Sequence, residues 1–483
     1  YQGRGMTMYA KLGLKNDGTI VGLDAEVIGE AGAYPAIGGF LTVFTQTMIQ
    51  GVYQIPKIRY HARSVATNTP VTAAYRGAGR PEATQLLERV IDVAADDLGI
   101  DPAEIRRKNF LQPDAFPLTT HGGANYDCGE YEKSLDAAIE AADYPALLAQ
   151  QAERRASGDT KQLGIGISAY VEVTAPAGLH IEYGAVEISE DGKVTARVGT
   201  SAHGQGHVTA FSMIISDMLG VPMDDITILQ SDTDDIPRGQ GTMGSRSLQT
   251  AGSAVHVASE TVLDKGKELA AHLLEASAGD IVVGNGGLHV AGVPANALSW
   301  AELAAAANDD TKRPDGMEAG LAHELDFDGT DSTFPFGAHI AVVEVDTETG
   351  SVEMVRHIAV DDCGKILNPL LVTGQQHGGI AQGAAQALFE GVFYDDDGNP
   401  VTGNLMNYAI PAASELCSFE TSNTETPSPR NPLGAKGIGE SGTIGSTPAI
   451  HNAVVDAVSH LGVKHIDMPL TAMTVWNAIR AAG

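Results

Sequence analysis

The stretch Asn431–Gly445 reads N-P-L-G-A-K-G-I-G-E-S-G-T-I-G and sets one carboxylate, Glu440, among five glycines. Glycine has no Cβ to hold a ligand off, so repeated Gly lets backbone N–H groups approach a bulky group directly. A single acid in such a cradle is placed to act as a base, and its bland alternative is a carboxylate capping a helix N-terminus. Gly437 to Gly442 also matches G-x-G-x-x-G, the turn of a dinucleotide-binding unit. That turn needs a hydrophobic parallel strand upstream. The approach here is T-P-S-P-R-N-P-L, and Pro427, Pro429 and Pro432 cannot donate to a sheet ladder. An NAD-dependent dehydrogenase is therefore disfavoured, and the rest of the chain must say what Glu440 acts on.

The 483 residues are enough for several cores; 56 glycines and only 5% aromatics imply packing by small aliphatic side chains with many turns and close approaches. With 30 basic against 61 acidic side chains, the net charge of -31 argues against nucleic acid or an anionic membrane as partner. Cys128, Cys363 and Cys417 lie far apart and form no C-x-x-C pair, so they encode neither a disulfide framework nor a zinc or iron-sulfur site. A reducing, cytoplasmic compartment fits, and no apolar run is long enough to span a membrane. The opening Y-Q-G-R-G-M carries no initiator Met or signal peptide, and strand-like sequence begins at Met8. The expectation is that the chain is the later part of a longer polypeptide.

A unit of alternating strand, acidic turn closing on Gly, and second strand recurs three times: Met8 to Ile28 around Asn16-Asp17-Gly18, Tyr183 to Gly199 around Glu190-Asp191-Gly192, and Ala341 to Val360 around Glu348-Thr349-Gly350. These predict antiparallel hairpins in related modules. Between them runs strand, Gly-rich loop, helix. Thr72 to Arg80 precedes a helix opened by Pro81, with Leu86, Val90, Ala94 and Leu98 on one face and Gly99 at its end. Asp101 is the expected N-cap of the next helix. Lys133 to Arg155 reads as one helix, Leu163 to Val173 as a buried strand, and a domain boundary is placed so that 1–156 and 157–483 form two portions. Loop 199–207 feeds a helix from Val208, loop 239–247 a long helix toward Glu275, and a small hairpin turns at Asn285-Gly286. Further helices are expected at Gly374 to Glu390, Pro448 to Leu461 and Leu470 to Arg480. The predicted fold class is α+β, with mixed sheets, recurring hairpins and Gly-rich loops at helix N-termini, each a candidate anion or cofactor seat.

Other chemistries are less well served. His203 and His207 are four apart, but Gly204 and Gly206 make the segment a loop and no acid completes a zinc site. The serines of Gly244-Ser-Arg-Ser247 and Gly439-Glu-Ser-Gly442 lack the G-x-S-x-G elbow of hydrolases.

Five ordered segments carry a resemblance: A-Y-R-G-A-G-R-P-E-A (Ala74 to Ala83), G-Q-G-H (Gly204 to His207), G-x-G-T-x-G-S-R-S (Gly239 to Ser247), C-G-x-x-x-N-P with G-Q-x-x-G-G-x-x-Q-G (Cys363 to Gly383), and G-A-K-G-I-G-E-S-G (Gly434 to Gly442). Together they resemble the molybdenum-binding large subunit of the xanthine dehydrogenase and aldehyde oxidase family, which includes the aerobic carbon monoxide dehydrogenases. The resemblance implies a molybdopterin-binding fold and Glu440 as the base beside molybdenum, acting on an aldehyde or N-heterocycle with water as oxygen source. It implies that Arg76 orients substrate or stabilises developing charge, and that Gly204, Gln205, Gly206, Thr242, Gly244, Ser245, Arg246 and Gln382 hold the pterin and its dinucleotide. Gly437 and Gly439 would let backbone crowd the centre. No side chain is implied as a direct metal ligand; molybdenum, in its sulfido-oxo form, is held through molybdopterin cytosine dinucleotide.

Two departures qualify this. The carbon-monoxide-oxidising branch carries Cys, a copper ligand, where this chain has Gly77, so carbon monoxide oxidation is disfavoured. The front part of the family's large subunits, with its G-G-G-F-G-type loop, has no counterpart here. The resemblance therefore implies an N-terminal portion or a replacing chain as partner, with an iron-sulfur small subunit and an FAD medium subunit in a dimer of heterotrimers. A catalytically dead scaffold or assembly fragment is the rival from another class.

Overall fold

Three times the chain makes an antiparallel hairpin, passes through a helix and returns as a strand parallel to the hairpin's second strand. This architecture is seen in a computed structural model that describes residues 3–176, 178–284 and 286–483. The first unit is Met6–Leu14 and Ile20–Gly32, helix Leu41–Thr47, then Ile58–Ala66. The second is Ile181–Ile188 and Val194–Val198, helix His207–Leu219, then Ile226–Leu229. The third is Phe336–Asp346 and Val352–Asp362, helix Pro369–Leu388, then Phe419–Thr424. Leu321–Asp328 extends the second sheet and Lys161–Val171 the third, both antiparallel. The fold is thus α+β with mixed sheets. The hairpins follow the expected turns, while the parallel third strands add an element the turns alone did not indicate.

The helix Ser441–Ser459 organises what surrounds it, and almost every residue along it is buried. It lies against strands Lys161–Val171 and Phe336–Asp346 and helices Arg80–Leu98 and Pro369–Leu388. Glycines make that closeness possible. A Cβ on Gly164 would sit 1.9 Å from the Ala453 carbonyl, and one on Gly166 would sit 2.0 Å from that of Ala449. On the helix itself, a Cβ on Gly442 would reach 2.6 Å from the Gln376 carbonyl, and one on Gly445 would reach 2.8 Å from the His339 ring.

These contacts explain a difference from expectation: the helix begins at Ser441, not Pro448, so Pro448 lies inside it. Gly442 and Gly445 read as loop residues by propensity, but packing overrides propensity where only hydrogen fits. The helix of the third unit also starts early, at Pro369, because Asn368 accepts from the Leu371 N–H at 3.1 Å. The single helix expected over Lys133 to Arg155 is two, Tyr131–Ala142 and Tyr144–Ser157, broken at Asp143 with φ 51°. In the small hairpin, Asn285 lies outside the described residues; its strands are Ile281–Gly284 and Gly287–Val290.

Helix Arg80–Leu98 buries Leu86 and Ala94 as expected but leaves Leu98, its last residue, 37% exposed, and it also buries polar side chains. Glu88 there accepts from Arg106 Nε at 2.8 Å and from the Ala169 N–H at 3.0 Å, and Tyr53 also donates to it. Asn452 of the central helix receives Arg89 Nη1 at 2.8 Å. One apolar core joins residues 20–147 to strand Lys161–Val171 and the third hairpin, while the apolar residues of the central helix pack in a separate core against the other side chains of that hairpin.

Substituting Gly166→Ala should lower stability by about 1–3 kcal/mol or more through overpacking, whereas Gly374→Ala, whose Cβ would meet nothing within 4 Å, should not. Thermal unfolding of the two variants checks this, and equal midpoints would refute the close-packing account.

Candidate functional site

Glu440 stands at the N-terminal end of the central helix, yet its carboxylate makes no capping hydrogen bond. Its oxygens are taken by two other loops and a helix. The Gly77 N–H donates to Oε1 at 2.7 Å, Ser245 Oγ donates to Oε2 at 2.7 Å, and Arg80 Nη2 pairs with Oε2 at 3.1 Å. Burial alone pushes this carboxyl up. Arg80 foremost, then the Ser245 hydroxyl, the neighbouring Glu172 and the Gly77 N–H, outweigh burial and hold it below the ordinary glutamate value. Glu440 is therefore an ionised, prepositioned carboxylate, and the capping alternative does not describe it.

Each neighbour is fixed by local backbone chemistry. Gly77 has φ +98°, and a Cβ there would come within 2.7 Å of Pro81 Cγ and 3.2 Å of Ile444 Cγ1. A side chain at position 77 would be strained at this φ and would have to displace Pro81 beside the N–H offered to Glu440. Ser245 sits at φ 53°, a left-handed conformation uncommon for serine, and its Oγ is the group that meets Glu440. Gly437 lets that loop dock, since a Cβ on it would lie 2.3 Å from the Ser245 carbonyl.

Arg76 lines the cavity, with its donors committed to protein acceptors. Its Nε donates to the Gly439 carbonyl, Nη1 to Gln382 Oε1 at 3.0 Å, and Nη2 to the Gln375 carbonyl at 3.2 Å. The guanidinium thus clamps loop 72–80 onto the Glu440 segment and helix Pro369–Leu388. Arg246 is fully buried and turned from the cavity: it pairs with Glu182 and donates to the Leu179 carbonyl at 2.6 Å and the Gly241 carbonyl at 2.8 Å. It staples the root of loop 239–247. Gln382 meets Arg76, and Gly206 packs on Leu371; neither is on the cavity wall.

The cavity has a volume of about 530 Å³. Gly204, Gln205, Thr242, Gly244, Ser245, Gly437, Gly439 and Glu440 line it together with His203, His207, Asn368, Gln375 and Lys436. That size suits a cofactor, and amide and hydroxyl groups that donate and accept suit the edges of a flat polar heterocycle. Gly204, at φ +100°, leaves open space where a Cβ would stand. Among the described residues no three His, Cys, Asp or Glu side chains gather as a metal site. A larger cleft of about 1530 Å³ runs beside strand Met6–Leu14, and Arg76, Ser245 and Glu440 are not on its wall.

Sequence reasoning missed two charged members. Arg80 lies in the quoted loop but was not singled out. Glu172 is fully buried, 3.4 Å from Arg80 Nη2, and accepts from Ser441 Oγ at 3.1 Å. Its signal was an acid ending an otherwise nearly apolar strand, since buried acids are almost always paired.

With this geometry, comparison with known proteins is informative. Residues 137–417 and residues 1–110 each match a molybdopterin cofactor-binding domain. The chain belongs to the molybdopterin cofactor-binding family. It is 38% identical to the carbon monoxide dehydrogenase large chain of Hydrogenophaga pseudoflava, over 98% of this chain and 60% of that protein. It is 35% identical to the nicotine 6-hydroxylase large subunit of Paenarthrobacter nicotinovorans, over 96% of this chain and 58% of that one. Quinoline 2-oxidoreductase of Pseudomonas putida 86 superposes with a TM-score of 0.93 at 36% identity, covering 99% of this chain and 62% of that chain. The chain thus spans about 60% of the length of these relatives.

Replacing Arg246 by Met should destabilise the fold by about 3–5 kcal/mol, because Glu182 is left as an uncompensated buried charge. Adding Glu182→Gln should recover part of that loss. Urea unfolding of the single and double variants checks both, and a single-variant loss below about 1 kcal/mol would contradict the staple role.

Proposed function

We propose that this chain is the cofactor-carrying portion of a molybdenum hydroxylase large subunit that oxidises an aldehyde or an electron-poor N-heterocycle, with water as oxygen source and Glu440 as base. The observation that carries this is an ionised carboxylate that caps no helix, held by three segments at the wall of a glycine-lined cavity. Gly204, Gln205, Thr242, Gly244 and Ser245 would hold the pterin group, with Gly437 and Gly439 admitting backbone contact. When bound, that group would supply the two-electron oxidising centre. The cofactor form we propose is the cytosine dinucleotide.

The chain's own residues do the rest. Glu440 takes up a proton at a carboxylate oxygen as the new carbon–oxygen bond forms. Gly77 and Ser245 keep that carboxylate aimed, and Arg80 keeps it ionised until then. Arg76 keeps loop 72–80 in register with the Glu440 segment and helix Pro369–Leu388.

Carbon monoxide oxidation is disfavoured because Gly77 offers no thiolate, and a side chain there would be strained against Pro81. Electrons would leave through an iron-sulfur small subunit and an FAD medium subunit in a dimer of heterotrimers, and the N-terminal portion would complete the pocket. The three cysteines of this chain are free and scattered, which suits a cytoplasmic protein with its clusters on partners. Among the described residues no helix is long and apolar enough to cross a membrane. A second reading is a non-catalytic assembly fragment of such a complex.

Glu440→Gln separates the two readings. Positioned bases contribute about 10²- to 10⁴-fold, so turnover of aldehydes or N-heterocycles by the assembled complex with an artificial electron acceptor should fall at least that far while molybdenum content stays unchanged. Unaltered turnover would remove Glu440 from the mechanism, and absence of molybdenum from the wild-type complex would favour the fragment.

A further inference from the structure

Among the described residues, Arg80 is the one cation hydrogen-bonded to two carboxyl groups at this site. Its Nη2 lies 3.1 Å from Glu440 Oε2 and 3.4 Å from Glu172 Oε1, and the Glu172 side chain is 0% exposed. Glu172 is shielded from bulk solvent, and among the described residues its other oxygen receives only Ser441 Oγ, at 3.1 Å. Arg76 also acts on Glu172 electrostatically, but its donors go to Gly439, Gln375 and Gln382. The remaining titratable neighbour, Tyr170, donates to Asp361 Oδ1 at 2.6 Å, and Asp361 takes His339 Nε2 at 3.0 Å. That network brings Glu172 no positive charge of its own.

Two buried carboxylates share the one guanidinium that touches them, while Arg76 acts on both without a hydrogen bond to either; the less well partnered carboxylate is weakly compensated, and binding one proton relieves it. We propose that Glu172 is a positioning residue for Glu440: it holds that proton and donates it in a hydrogen bond to the Glu440 carboxylate, so that Glu172 sets the pH at which Glu440 can serve as base. The asymmetry follows from the donors. Glu440 already receives an N–H, a hydroxyl and the shorter contact to Arg80, whereas Glu172 receives one hydroxyl and the longer contact. Burial, then the charge of Glu440, push Glu172 well above the ordinary carboxyl range, with Arg80 and Ser441 opposing. The pair is a carboxylic acid next to a carboxylate, each with a distinct task.

This inference rests on Glu440 being the base, and its test uses readouts that do not need turnover. In the assembled complex, the infrared difference between wild type and Glu172→Gln should contain the C=O stretch of one buried protonated carboxyl group. Linkage gives a second readout. A carboxyl whose folded-state pKa is raised contributes stability that is fully present below its unfolded-state value and is lost as pH rises through the folded-state value. Wild-type stability should therefore decline more steeply than that of Glu172→Gln as pH rises above the ordinary glutamate range.

In turnover, Glu172→Ala removes the donor to Glu440 and should move the acidic limb of kcat/KM upward by roughly one to two pH units. Glu172→Gln, which keeps a neutral donor, should bring the limb back toward its wild-type position. No protonated-carboxyl band in the difference spectrum, or identical slopes of stability against pH, would overturn the proposal even if Glu172→Ala fails to fold. If Glu440→Gln retains turnover, the underlying reading fails instead; if Glu440→Gln is inactive and the band is absent, only the role of Glu172 fails.

Discussion

The contact on which the structure depends is the backbone-to-backbone approach of helix Ser441–Ser459 to strand Lys161–Val171. Gly164 and Gly166 replace side chains with hydrogen where the helix carbonyls of Ala453 and Ala449 arrive. A helix set this deep can be touched by two strands and two helices at once, and its N-terminal end becomes the one place where loops from distant parts of the chain can meet. Glu440 occupies that place. Its position is therefore a consequence of core packing rather than of the flexible glycines around it, which is what a preorganised base requires.

Electrostatics then divides the labour among the charged residues. Arg80 faces the carboxylates and keeps Glu440 ionised, Arg76 holds the loops together, and Arg246 anchors a loop root against Glu182 without facing the cavity. Three arginines in glycine-rich loops look alike in a sequence. They differ in what each guanidinium has left to offer once its local acceptors are satisfied.

Much of this was legible in the sequence. The three hairpins announce themselves through alternation and an acidic turn ending in Gly, and Glu440 stands out as the single acid in its cradle. What escaped notice depends on partners remote in sequence. The early start of the central helix was hidden because Gly442 and Gly445 resemble loop residues unless the neighbouring helix and the His339 ring are known. Gln382, Gly206 and Arg246 sit in the quoted motifs but serve the frame of the cavity rather than its wall. Glu172 lay in plain sight at the end of an apolar strand, but only the fold brings it to Arg80. Local pattern encodes elements and loops; the pairing of charges across 92 residues, as between Arg80 and Glu172, belongs to tertiary structure.

The central claim is that these loops form a seat for a molybdenum-pterin group beside an ionised Glu440. Elemental analysis combined with pterin fluorescence after oxidation tests it most directly, applied to the assembled complex that contains this chain. The account predicts roughly one molybdenum and one pterin per large subunit, both lost when Gly437→Val blocks the docking of loop 239–247 in a variant that remains folded. A fully assembled wild-type complex containing neither molybdenum nor pterin would contradict it.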